Sequence, residues 1–287
     1  MNSLWEKITE WIKEGLIGGI TSNFEGMFDE LNTKVADIAA QVGQTPESYN
    51  SGVFSMIKNL SETVIIPIAG IILTFVLCYE LIQMIIEKNN MHDFDTFIIF
   101  KWIFKTFCAV YILTHTFDIV MGVFELAQYV VNQSSGVISG SLNIRVAMDS
   151  LQTQLVAMEW YELLGLYLES AILSLAMKVI GICIFIIVIG RMLEIYMVTS
   201  IAPIPFSTMV NREWGHTGQN YLRSLFALAF QGFLIMVCIA IYAVLLQSIA
   251  FADDVHTAIW TCAGYTILLC FTLFKTGSIS KSIFGAH

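Results

Sequence analysis

The chain has 287 residues, of which 56% are hydrophobic and 13% charged, and its mean hydropathy is +0.73. Soluble domains carry roughly 25% charged residues, so this chain cannot cover itself with polar surface and lipid must be its solvent. The net charge of -9 leaves no basic stripe to neutralise phosphates, which excludes sequence-specific nucleic-acid binding as a primary role.

The amino-terminal stretch is not a span. Trp5, Ile8, Trp11, Ile12 and Leu16 fall at helical spacing with Glu6, Lys7, Glu10, Lys13 and Glu14 between them, which predicts an amphipathic helix. After a glycine-containing break, Met27, Phe28, Leu31, Val35, Ile38 and Val42 continue the period, and Gly43 to Pro46 close it. Such a helix lies on a membrane surface or packs against a partner or sister subunit. With no continuous apolar core followed by a small-residue cleavage site, no cleavable signal peptide is expected.

Five spans are predicted, each near the 20 or so apolar residues that cross hydrocarbon. The first covers Val64 to Ile86, with Pro67 in its first turn and Glu87 to Asn90 at its end. The second lies within Phe97 to Phe124. A loop and an extramembrane helix follow over Gln128 to Glu162, with Ser134, Ser135, Gly136, Ser139, Gly140 and Ser141 in the loop. The third span, Leu166 to Ile189, runs on through Arg191 and Glu194 towards Ser200, long enough to tilt or project, until Pro203 and Pro205 stop it. The fourth covers Leu222 to Leu246 and the fifth Ala258 to Phe274. The chain therefore reads as an all-α polytopic membrane protein: an amphipathic region over 1–60, then a five-span domain over 61–287 containing a helical loop at 125–162 and a second loop at 190–221.

Lysine and arginine in short loops stay on the cytoplasmic side. Lys88, Lys101 and Lys105 flank the first connection, Arg191, Arg212 and Arg223 the third, and Lys275 and Lys281 follow the last span. The second connection has only Arg145 as a basic residue, and the fourth only Asp253 and Asp254 as charges. This pattern predicts a cytoplasmic carboxyl terminus and an exported amino-terminal region and 125–162 loop.

Ionisable residues in or beside spans are functional candidates by default, and here they are Glu80, Lys101, Lys105, Glu169 and Lys178. Lys178 sits near the middle of the third span, too deep to snorkel easily, and nine residues of helix hold Glu169 about 13 Å away from it. Its readings are interhelical pairing that fixes assembly, the lining of a water-filled passage or lipid-headgroup site, or proton coupling. Lys101 and Lys105, one helical turn apart, read as interfacial anchors. Arg191 and Glu194 are spaced for a local ion pair. The stretch TSIAPIPF, Thr199 to Phe206, is apolar yet broken by proline, so it is an ordinary loop or a re-entrant hairpin.

No catalytic set emerges: H-E-x-x-H, G-x-S-x-G, a Walker-type phosphate loop and G-x-G-x-x-G are all missing. Cys78, Cys108, Cys183, Cys238, Cys262 and Cys270 lie in apolar runs with no C-x-x-C pair, so they read as small buried hydrophobes, with no metal site. Five unequal spans without a visible repeat also argue against a secondary transporter.

From Arg191 to Phe233 the sequence reads RMLEIYMVTSIAPIPFST, then EWGHTGQNYLR, then ALAFQGF. This resembles the TrbL-like conjugal transfer family, relatives of the polytopic sixth VirB subunit of type IV secretion systems. The resemblance implies a non-enzymatic membrane subunit of the conjugation machine that forms part of the DNA or protein translocation conduit. It implies a homo-oligomeric ring, often five-fold, in contact with the secretion ATPase and other membrane subunits. It carries Arg191, Glu194, Pro203, Pro205, Trp214, Asn220, Tyr221, Arg223 and Gln231 as critical for structure or interaction. No cofactor is expected, although a phospholipid could be bound. The reading from another class is a self-contained transporter or channel with Lys178 and Glu80 in its pathway.

Overall fold

The computed structural model describes residues 2–87, 96–138, 145–247 and 255–286. All secondary structure among the described residues is helical: α1 (Asn2–Val42), α2 (Pro46–Tyr49), α3 (Ser51–Leu60), a wide π turn (Ser61–Ile65), α4 (Ile66–Glu87), α5 (Thr96–Thr114), α6 (Thr116–Ile138), α7 (Arg145–Ala157), α8 (Trp160–Ser200), α9 (Pro203–Thr208), α10 (Gly215–Gln247) and α11 (Val255–Phe284). Five helical segments are long and apolar enough to cross a membrane: Ser51–Ile86, Phe97–Thr114, Trp160–Ser200, Gly215–Leu246 and His256–Phe284. The chain is thus a multi-pass all-α membrane protein. Residues 88–90, 139–141 and Asp253 and Asp254 of the sequence reading lie outside the described residues, as do the side chains of Phe28, Leu31, Val35, Ser135, Gly136 and Arg145.

Helix boundaries differ from the sequence reading where hydropathy and backbone geometry part company. The first spanning segment begins at Ser51 and not at Val64, because Asn50 caps α3 by accepting from the Val53 N–H at 3.0 Å. Pro67 then sits inside continuous helix. Its ring would crowd the carbonyl four residues back, and the π turn immediately before it widens the backbone there. The second span, Phe97–Thr114, lies within its predicted bounds, and the residues from Thr116 on belong to another helix, α6. Near His115, the hydroxyls of Thr114 and Thr116 and the imidazole Nδ1 of His115 all bond to carbonyls of the preceding turn, Val110, Ile112 and Tyr111 among them. Side chains that compete for helix carbonyls in this way bend helices. Residues from Gln128 to Ile138, read as loop, continue α6. The fourth and fifth helices extend beyond their apolar runs to Gly215 and Phe284.

The chain forms two compact units, and α8, α10 and α11 each contribute to both. One unit comprises Met1–Val42, Gln133–Val188 and Ile235–Lys275. Its core includes Ile20, Phe24 and Met27 from α1, Leu151 and Leu155 from α7, Leu163 and Leu166 from α8, and Ile259 from α11. The glycines of α1 do not break it. At Gly19 a Cβ would lie 2.6 Å from the Tyr167 ring, so this glycine serves close helix approach. Asn23 donates to the Ser170 hydroxyl at 3.0 Å beside that contact, and Glu162 accepts the Glu159 N–H at 3.0 Å where α8 begins. The apolar face near the start of α1 is left uncovered, with Trp5 72% and Trp11 75% exposed.

The other unit comprises Gly43–Asn132, Ile189–Leu234 and Thr276–His287. One cluster packs Phe54, Phe117, Phe124, Ile195, Phe206 and Leu225, with Phe54 edge-on to Phe117 at 5.3 Å. A smaller one packs Ala69, Leu73 and Leu77 of α4 against Ala109 and Leu113 of α5, with Ile204 and Val210 against it. The proline-containing stretch is a short helix, α9, that packs on α4 and α5. Pro203 at its start needs no N–H partner there.

Candidate functional site

In the second unit a charged network ties α4 and α5 to the chain that follows α9. Glu80 lies within the first spanning segment with a side chain only 3% exposed, and Lys105, on α5, makes an ion pair with its Oε1. Lys105 also donates to the Val210 carbonyl at 3.4 Å. The other oxygen, Oε2, accepts from Asn211 Nδ2 at 3.0 Å, and Asn211 further donates to Gln83 at 3.3 Å. A carboxylate this deep is tolerable only when both oxygens have partners, and the turn after α9 supplies one of them.

That turn is built for the purpose. Asn211 Oδ1 accepts the N–H groups of Glu213 at 2.8 Å and Trp214 at 3.1 Å, which folds the turn before α10 and aims the amide nitrogen at Glu80. Glu213 accepts from Tyr79 at 3.1 Å and from Gln83 at 2.7 Å. Trp214 stacks on Tyr79 at 5.1 Å and on Phe75 at 5.9 Å. The return of the chain demands Gly218: a Cβ there would lie 2.5 Å from the Pro205 carbonyl and 2.1 Å from Met209 Cγ.

Other predicted positions knit the same unit. Arg191 is buried, 7% exposed, and donates to the Ala229 carbonyl at 3.3 Å, while its Nε has no partner. The local pair with Glu194 is not formed; Glu194 meets Lys281 at 3.4 Å, because Arg191 turns inward between helices and Glu194 turns outward. Tyr221 donates to the Val198 carbonyl at 2.9 Å and lies edge-on to Phe206 at 5.6 Å. Arg223 reaches the Gly285 carbonyl at 3.5 Å, and Gln231 donates to Thr276 at 3.3 Å. Asn220 sits half-buried on α10.

Lys178 and Glu169 belong to the first unit. Glu169 faces His256 Nδ1 at 2.7 Å. Lys178 is exposed on α8 and has no ion-pair partner among the described residues. Sequence reasoning thus found Glu80 and Trp214 but missed Asn211, Gln83, Tyr79 and Glu213, and it read Lys105 as an anchor when it is the partner of Glu80. The one local signal was Asn211 four residues before Gly215, an asparagine placed to turn the chain into a helix. A network of this kind holds elements together. Among the described residues no three His, Cys, Asp or Glu side chains could hold a metal ion.

Neither a curated protein nor a solved structure matches the chain. The family model described as TrbL/VirB6 plasmid conjugal transfer like protein matches residues 31–203, more than half of the chain. The matched stretch takes in Glu80, Glu169, Lys178, Arg191, Glu194 and Pro203 and ends before Pro205, Trp214, Asn220, Tyr221, Arg223 and Gln231. With its five apolar spans and this match, the chain belongs to the TrbL/VirB6 family of plasmid conjugal transfer membrane proteins.

Proposed function

We propose that the chain is a non-catalytic subunit of a conjugative type IV secretion machine in the cytoplasmic membrane, and that copies of it form a ring lining part of the translocation conduit. The observation that carries this reading is Lys178. Between Glu169 and Arg191 it is the only charge in the most apolar of the five spans, and it is exposed there with no ion-pair partner among the described residues. A lysine facing lipid at that depth costs about 2.5–3.5 kcal/mol on insertion scales. Contact with another copy removes that cost, and a ring supplies it. The uncovered face bearing Trp5 and Trp11 is a second surface suited to contact beyond the chain.

The distribution of lysine and arginine supports an exported amino-terminal region, a cytoplasmic carboxyl terminus, and a cytoplasmic α9–α10 connection within reach of the secretion ATPase. Glu80 favours this reading over a self-contained transporter, because both of its oxygens are already occupied by Lys105 and Asn211. Deleting the gene from a conjugation donor and restoring it tests the role. DNA transfer should vanish and return while the other membrane subunits remain present; undiminished transfer from the deleted donor contradicts it.

A further inference from the structure

At the ends of α4 and α5, beside the Glu80 network, lies a cavity of about 240 Å³ lined by Glu80, Lys101, Lys105, Arg212, Phe97 and Ile98 among others. We propose that it binds the phosphate group of an anionic phospholipid. This inference goes beyond the assembly reading and holds whether or not copies form a ring.

Among the described residues, Lys101, Lys105 and Arg212 line the cavity as cations and Glu80 as a carboxylate already paired within the protein. Glu80 gives one oxygen to Lys105 and the other to Asn211, so it anchors Lys105, and the ion pair with that lysine offsets its charge. Lys105 has three N–H donors; Glu80 and the Val210 carbonyl take two of them, leaving one on an ammonium already fixed in place. Lys101 lies one helical turn earlier on α5, is exposed, and has no ion-pair partner among the described residues. The two ammonium groups, of Lys101 and Lys105, suit an oxyanion with several acceptors.

Depth and size select the source of that anion. Lys101 lies four residues inside the start of the spanning segment Phe97–Thr114, where its ammonium reaches the headgroup layer. Phe97 and Ile98 supply the apolar wall that a glycerol backbone and the first acyl carbons would meet. The volume is below the roughly 300–1,000 Å³ of pockets that enclose drug-sized ligands, which suits one headgroup and not a larger solute.

The test uses the full chain in phosphatidylcholine nanodiscs, with phosphatidylglycerol added in one arm and soluble glycerol phosphate in another. Phosphatidylglycerol should raise the thermal midpoint of the wild type, and that gain should be lost in Lys101→Gln but kept in Lys101→Arg and in the surface control Lys281→Gln. Native mass spectrometry should show phosphatidylglycerol retained about fivefold more weakly by Lys101→Gln, the effect of one cation near a membrane surface. The same variant-dependent gain from soluble glycerol phosphate alone would overturn the lipid as the source. Equal gains in all variants, or none in the wild type, would overturn the site.

Discussion

Lys105 and Lys178 are both lysines within apolar spanning segments, and the chain treats them differently. Lys105 meets a carboxylate and a carbonyl of its own chain, and the carboxylate is completed by Asn211. Lys178 is exposed on the most apolar span with no ion-pair partner among the described residues. A charge satisfied within its own subunit stabilises the fold of that subunit. A charge left unsatisfied within it calls for something outside the chain. The first is a fixture of one subunit, the second a feature of the ring proposed above, and each makes its own prediction.

The largest effect is expected at the satisfied charge. Glu80→Ala takes the carboxylate from Lys105 and one of two acceptors from Asn211, at a cost of about 3 kcal/mol, the low end for a broken buried pair because Lys105 stays partly exposed. Thermal unfolding in detergent measures it, and replacing both partners in Glu80→Leu with Lys105→Met should restore most of the loss. A single variant that melts with the wild type would show that the network contributes nothing.

Gly218→Ala should come next, at about 1–3 kcal/mol, since its methyl group meets the Pro205 carbonyl and the backbone must move. The same assay reads it, and an unchanged midpoint would mean that α9 and α10 are not held as described. Arg191 sharpens the contrast inside the second unit. It is buried, and among the described residues it has one hydrogen bond and an unpartnered Nε, so Arg191→Met should change the stability by no more than about 1 kcal/mol. A large loss would place this arginine with Lys105 as a fixture. A neutral midpoint together with impaired DNA transfer would place it with Lys178.

Span number and class were legible from hydropathy alone, because a backbone in hydrocarbon must satisfy itself and only long apolar helices do so here. The boundaries were less legible. Asn50 starts a helix well before the apolar run, and Pro67 is accommodated by a π turn that no hydropathy pattern announces. Of the candidate site, Glu80 was visible as an acid in a span. Its bond to Asn211 joins residues 131 apart, and one sequence read for local periodicity carries no signal of such a pairing. Likewise Arg191 and Glu194 had the spacing of a pair, but inward and outward positions on α8 separate them. Lys178 stood out in the sequence for the reason it stands out in the structure: nothing nearby along the helix could neutralise it.

The central claim is that Lys178 is covered by another copy of the chain, and the native mass of the detergent-purified protein, wild type beside Lys178→Leu, tests it most directly. The account predicts a closed multimer for the wild type, and a smaller species for the variant with a thermal midpoint equal to or above the wild type's. A monomeric wild type, or a variant that assembles as the wild type does, would contradict it.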